Sequence, residues 1–180
     1  MRDFPLNNVS PFPAKRDANG HAAVHIAPIG AGFVFHVLGN AQADEASLKK
    51  LIHDIAPDVG GDLRSPSPGQ WFWIGACEVS QDRQGEILAK LPGDFAISDQ
   101  THGRVRLSVS GGKVRDVLAK GTMIDLGPDV FAVGASAMTQ IGHIGAMITR
   151  TDEDCFEIMV LRSFAVSLWD ELHHMAAEFE

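Results

Sequence analysis

The last third of the chain restricts the fold most. Arg104-Val105-Arg106-Leu107-Ser108-Val109 alternates polar and apolar residues, the period of a strand with one buried face. Ser110-Gly111-Gly112 is a turn. Val114, Val117 and Leu118 then mark a short helix, with Gly121 where a C′ glycine would sit. Val133 to Thr149 reads as a long, mostly β stretch broken by Gly142 and Gly145. Asp152-Glu153-Asp154 is a polar turn, and Cys155 to Leu161 is its hairpin partner, with Phe156, Ile158 and Val160 on one face. Ser163 is the predicted cap of a closing helix. Its inner stripe is Ala165, Leu168, Trp169, Leu172, Met175, Ala176 and Phe179. Strands followed by covering helices predict an α+β fold.

The upstream part has a similar grammar. Residues 1–20 carry Pro5, Pro11 and Pro13 and close on Asn19-Gly20, which predicts an extended N-terminal arm. Ala22 to Ile29 and Gly32 to Leu38 read as strands joined in a hairpin by the turn Ile29-Gly30-Ala31-Gly32. Ala43-Asp44-Glu45 opens a helix whose apolar face is Leu48, Leu51, Ile52 and Ile55. Pro66-Ser67-Pro68-Gly69 is a turn cluster leading into the aromatic strand Gln70 to Gly75. Ser80 caps a helix from Gln81 to Leu91, with Ile87, Leu88 and Leu91 directed inward. Phe95 to Ser98 is the last strand of this part. The order β-β-α-β-α-β over 21–98, echoed over 99–180, predicts two similar sheet-and-helix sandwich halves packed as one unit.

Charge and cysteine usage narrow the function classes. The chain has 180 residues, with 15 basic and 23 acidic ones. At this size a chain buries about 70% of its unfolded surface and needs no staples. The formal net charge of −8 and the lack of a basic stripe argue against a nucleic-acid partner. No run approaches the roughly 18 apolar residues of a membrane span. Cys77 and Cys155 form no CxxC pair, and Met1-Arg2-Asp3-Phe4-Pro5 lacks the apolar run of a signal peptide. Both features suit a reduced, cytoplasmic setting.

A survey of possible chemistry yields no expected catalytic, cofactor-binding or metal-binding residue. Gly30-Ala31-Gly32 begins like a dinucleotide fingerprint but leads into a strand, with Phe33 to Phe35 following. Gly134-Ala135-Ser136-Ala137-Met138 lacks the second glycine of a nucleophile elbow. The eight histidines are scattered. His173 and His174 diverge on their helix, while His25 and His36 would meet only across the first hairpin. Asp152-Glu153-Asp154 lacks the spacing of a calcium loop. Trp71 and Trp73 share one strand face, which fits core or partner contact better than a stacking platform.

Several runs resemble a known family. Val109-Ser110-Gly111, Val117-Leu118-Ala119-Lys120-Gly121, Ile124-Asp125-Leu126 and Pro128 are similar to the gamma subunit of heterotetrameric sarcosine oxidase. That family reads V/L-S-G, then L-L-A-K-G-C-P-x-D-L-H-P. Its closing R-S-F-A-x-x-L-W-x-x-L resembles Arg162-Ser163-Phe164-Ala165, Leu168-Trp169 and Leu172. Pro68-Gly69-Gln70-Trp71 and Ile97-Ser98-Asp99 are similar to two further segments. The sequence departs from the pattern at Gly112, at Thr122-Met123 and at Gly127, where the family has Pro, Cys-Pro and His.

The resemblance implies an aminomethyltransferase-like, folate-binding-domain fold and a non-catalytic scaffold subunit. It implies partnership with alpha, beta and delta subunits in a complex that oxidatively demethylates sarcosine and passes the one-carbon unit to tetrahydrofolate. FAD, FMN and NAD are then expected in the partner subunits. Partner interfaces favour aromatic residues and arginine, so Phe4, Phe12, Arg162 and Phe164 are the candidate partner contacts. Two other readings stay open: a stand-alone folate-binding protein, for which Asp99 and Asp125 are the candidate carboxylates, and an accessory subunit of a different amine-oxidising flavoenzyme.

Overall fold

A computed structural model describes residues 10–13, 23–30, 32–40 and 42–179. Most of the predicted arm, including Phe4, lies outside the described residues. The elements run β1 (His25–Pro28), β2 (Phe33–Leu38), α1 (Glu45–Ile55), β3 (Asp62–Ser67), β4 (Gln70–Gly75), α2 (Gln81–Lys90) and β5 (Ala96–Asp99). There follow β6 (Arg104–Ser110), α3 (Val114–Ala119), β7 (Ser136–Ile141), β8 (Ile144–Asp152), β9 (Cys155–Leu161) and α4 (Ala165–Ala176). The fold is mixed α+β with two antiparallel sheets, ordered β3-β4-β2-β5 and β1-β6-β9-β8-β7.

Helices cover the outer face of each sheet, and the inner faces meet. Phe33, Phe35, Val37, Trp71 and Trp73 pack on Leu48 of α1 and Ile87 of α2. Val105, Leu107, Val109, Phe156 and Ile158 pack on α3 and α4 through Val117, Leu118, Leu168 and Leu172. Between the sheets lies a smaller cluster of Val34, Phe72, Ile74, Met147 and Met159. Alternation along β4 explains the division: Trp71 and Trp73 face the helices, and Phe72 faces the other sheet. Trp73 satisfies its indole N–H on the Gly60 carbonyl at 2.7 Å.

Five expectations are corrected. The predicted first hairpin does not form. β1 pairs with β6, β2 pairs with β4 and β5, and the two strands enter different sheets. The segment 21–98 therefore contributes its first strand to the other half. The second correction is β3, which the turn cluster had hidden. Pro66 lies inside this edge strand, at a register shift between Arg64 and Ser67, and the turn is confined to Pro68-Gly69 with Gly69 at φ +72°.

Third, Leu88 is 48% exposed, whereas Ile87 is buried. Neighbours on a helix diverge by about 100°, so one of them must leave the core. Fourth, Ser163 does not cap α4. The chain enters through a 3-10 turn, Arg162–Phe164, and the residue before α4 is Phe164, with no capping side chain. Fifth, Gly121 follows α3 as expected but without a positive φ. Its role is space, since a Cβ there would lie 2.8 Å from Met175 Sδ and 3.1 Å from Ile141 Cγ2.

Candidate functional site

The sequence-selected groups with chemical potential hold structural positions. Asp99 Oδ1 accepts from Thr101 N at 2.8 Å, and Asp125 Oδ1 accepts from Gly127 N at 2.8 Å, so each orders a turn. The Ser136 hydroxyl bonds Thr149 Oγ1 at 2.9 Å across the β7–β8 pair. His173 Nδ1 lies 2.8 Å from the Trp169 carbonyl, one helical turn back. His25 and His36 sit in separate sheets. Among the described residues no three His, Cys, Asp or Glu side chains are grouped to hold a metal.

The predicted contact residues partly converge. Phe12 is half-buried against the α4 core, with its ring 5.5 Å from that of Trp169. Arg162 is half-buried, and its backbone N–H bonds the Gly103 carbonyl at 2.9 Å. Phe12 and Arg162 line one cleft of about 410 Å³ between the two halves. Phe164 does not line it. Its ring stands outside, 44% exposed, in the same stretch as exposed Leu161 and Val166. Phe12, the end of β9 and the start of α4 therefore frame one region.

The inter-sheet face holds charged groups that the alternation of β6 did not reveal. Arg64 of β3 donates to Glu157 of β9 through Nη1 and Nη2, at 2.5 and 3.0 Å, and both side chains are buried. Arg106 Nη1 lies 3.5 Å from the same carboxylate. Arg104 lies over the Phe72 ring at 4.6 Å, and burial lowers its pKa from the ordinary arginine value. His36 also stacks on the Phe72 ring, 4.7 Å between centroids. Burial, then the nearby Arg104 charge, lower its pKa, against the opposing effect of a hydrogen bond to the Gln70 side chain. The readable signal was Arg104 and Arg106 at alternate positions, which β periodicity puts on one face. What that face meets is a second sheet rather than water.

A second cleft, about 500 Å³, lies between α1, β3 and the Val133-Gly134 turn. Arg150 lines it but is committed: its guanidinium donates to the carbonyls of Phe131, Asp152 and Glu153.

The family model described as "sarcosine oxidase, gamma subunit family" matches residues 63–178. The chain belongs to that family. The matched segment begins inside β3 and takes in the Arg104/Arg106 strand and the entry to α4. No curated protein sequence matches significantly. Among solved structures, the fold is similar to a heterotetrameric sarcosine oxidase from Corynebacterium sp. U-96, with a TM-score of 0.73 at 18% identity, covering 89% of this chain and 87% of that one. It is also similar to the glycine cleavage system aminomethyltransferase T from Bartonella henselae, with a TM-score of 0.59 at 17% identity, covering 85% of this chain and 46% of that one. The first likeness extends beyond the family match, into the region before β3. At these identities the structures establish the fold, which has the aminomethyltransferase-like architecture.

Proposed function

We propose that the chain acts as the gamma subunit of a heterotetrameric sarcosine oxidase and serves as a scaffold rather than as a site of chemistry. The observation that carries this reading is the family match over residues 63–178. The structural positions taken by Asp99, Asp125, Ser136 and His173 support the non-catalytic part. The partners are then the alpha, beta and delta subunits. FAD, FMN and NAD reside in those partners, and tetrahydrofolate accepts the one-carbon unit from sarcosine. The stand-alone folate-binding reading gains nothing from Asp99 or Asp125, whose carboxylates are used by their own turns.

The surface assigned to the flavin-bearing partner centres on Phe164, flanked by Leu161 and Val166 and by the Arg162 end of the cleft. An exposed aromatic beside an arginine is the composition of an interface anchor. Co-expression with the three other subunits, followed by purification through a tag on one of them, tests the reading. The expected result is retention of this chain in a four-chain complex. Phe164→Asp should abolish retention and leave the melting temperature unchanged. Recovery of the chain by itself, while the others assemble, would overturn the proposal.

A further inference from the structure

The face of β6 turned toward the other sheet carries more positive charge than its neighbours balance. Arg104 and Arg106 stand on it and Arg64 faces it from β3, and the carboxylate in ion-pair range among the described residues is that of Glu157. Arg64 occupies both of its oxygens. Arg106 is left 3.5 Å from one of them, beyond good hydrogen-bond length, with its side chain only 10% exposed. Arg104 has no ion pair among the described residues, and its Nε is buried without a hydrogen-bond partner. Arg104 is half-buried, and a partly desolvated guanidinium without an anion carries a cost that an arriving anion relieves.

Both arginines open on the 410 Å³ cleft, a volume suited to a small organic molecule. Gly32 keeps Arg106 accessible there: a Cβ at this position would stand 3.0 Å from Arg106 Nη2 and 2.2 Å from the Gly75 carbonyl oxygen. Thr101 adds a donor, because its hydroxyl oxygen already accepts from Val34 N at 3.1 Å and its proton is left for an anion. Phe12 and Val34 supply apolar wall. Among the described lining residues the acid is Glu78, which is exposed.

We propose that this cleft binds a carboxylate, gripped by the guanidinium groups of Arg104 and Arg106, with an apolar body against Phe12 and Val34. A guanidinium fork matches a carboxylate in shape and charge. The carboxylate comes either from a free small acid or from an acidic side chain of a partner subunit. The free-acid source rests on these residues alone, whereas the partner source rests also on the subunit reading above.

Two arms separate the sources. In the first, the isolated full chain is titrated with butyrate, against sodium chloride at equal ionic strength, while the Nε–H resonance of Arg106, which lines the same cleft and is kept in the Arg104 variants, is followed. A free acid gives a saturable shift, and Arg104→Gln and Arg104→Lys each weaken binding by roughly tenfold or more. In the second, Arg104→Gln is assembled with the other three subunits. A partner's carboxylate gives no butyrate response in the wild-type chain, but loss of retention in the variant at unchanged melting temperature. A response to neither, or a butyrate response retained in Arg104→Gln, overturns the proposal. Butyrate binding by a wild-type chain that fails to assemble would sink the subunit reading and leave this one standing.

Discussion

Glu157 shows what a single residue holds in this structure. It stands on β9 between two arginines from different strands, and its neighbours Phe156 and Ile158 belong to the helix-covered core. Removing its charge strands Arg64 and Arg106 between the sheets. Glu157→Gln should cost about 3–5 kcal/mol in denaturant unfolding. Replacing Arg64 and Glu157 together by Met should cost less, because the pair leaves as a unit.

His36 gives a pH signature. Its folded pKa lies below its ordinary 6.5, first through burial and then through Arg104. Between those two values the unfolded chain binds more protons. Stability from this residue is therefore complete above 6.5 and falls as the pH drops toward the folded value. Melting temperatures taken between about pH 7.5 and 5 should decline, and His36→Phe should flatten the decline attributable to this site. Neither residue's role was legible in the sequence. A period of two says that alternate side chains share a face, but not whether that face meets water or another sheet.

At the scale of elements, legibility followed the strength of the local period. α1 was plain, because Leu48 to Ile55 repeat over two turns and Asp44 caps the first of them, accepting from Ser47 N at 2.8 Å. β9 was plain because a polar turn separates two apolar runs, whereas β8 was read only as part of the stretch from Val133 and runs unbroken through the expected break at Gly145. β3 was hidden by Pro66, tolerated there because the strand lies at a sheet edge and its register shifts around the proline. The entry to α4 was misread because Ser163 has the right chemistry for a cap, while the backbone takes a 3-10 turn instead.

The α2 helix gives the sharpest test at this scale. Ile87 is 1% exposed and anchors the helix on Phe35 and Trp73, whereas its neighbour Leu88 is 48% exposed. Ile87→Ala should lower the unfolding free energy by about 2–5 kcal/mol. Leu88→Ala should stay within about 0.5 kcal/mol, as surface changes do. Equal effects from the two would mean that α2 is rotated relative to this description.

For the molecule as a whole, residue motifs reached the family and local periods reached the α+β class, but neither reached the exchange of β1. A hairpin is the cheapest connection between sequential strands, so sequence order alone favours pairing β1 with β2. The four residues from His25 to Pro28 instead pair with Leu107 to Ser110 on the edge of β6. Removing residues 1–29 should therefore leave Trp71 and Trp73 protected while amide exchange accelerates along Arg104–Ser110. Hydrogen-exchange mass spectrometry reads both segments at once. Faster exchange in β2 and β4, with β6 unchanged, would contradict the assigned pairing.

This exchange also sets a timetable on the ribosome. The sheet built from Phe33 to Asp99 is continuous in the chain and can close once its own residues have emerged. β1 is made before all of it, yet its partner β6 comes after. At ordinary synthesis rates β1 waits about 4–15 s with its backbone unpaired. The earliest-made of the described strands is thus among the last to find its place, and during that interval the nascent chain carries an open edge that a chaperone or a neighbouring nascent chain can occupy.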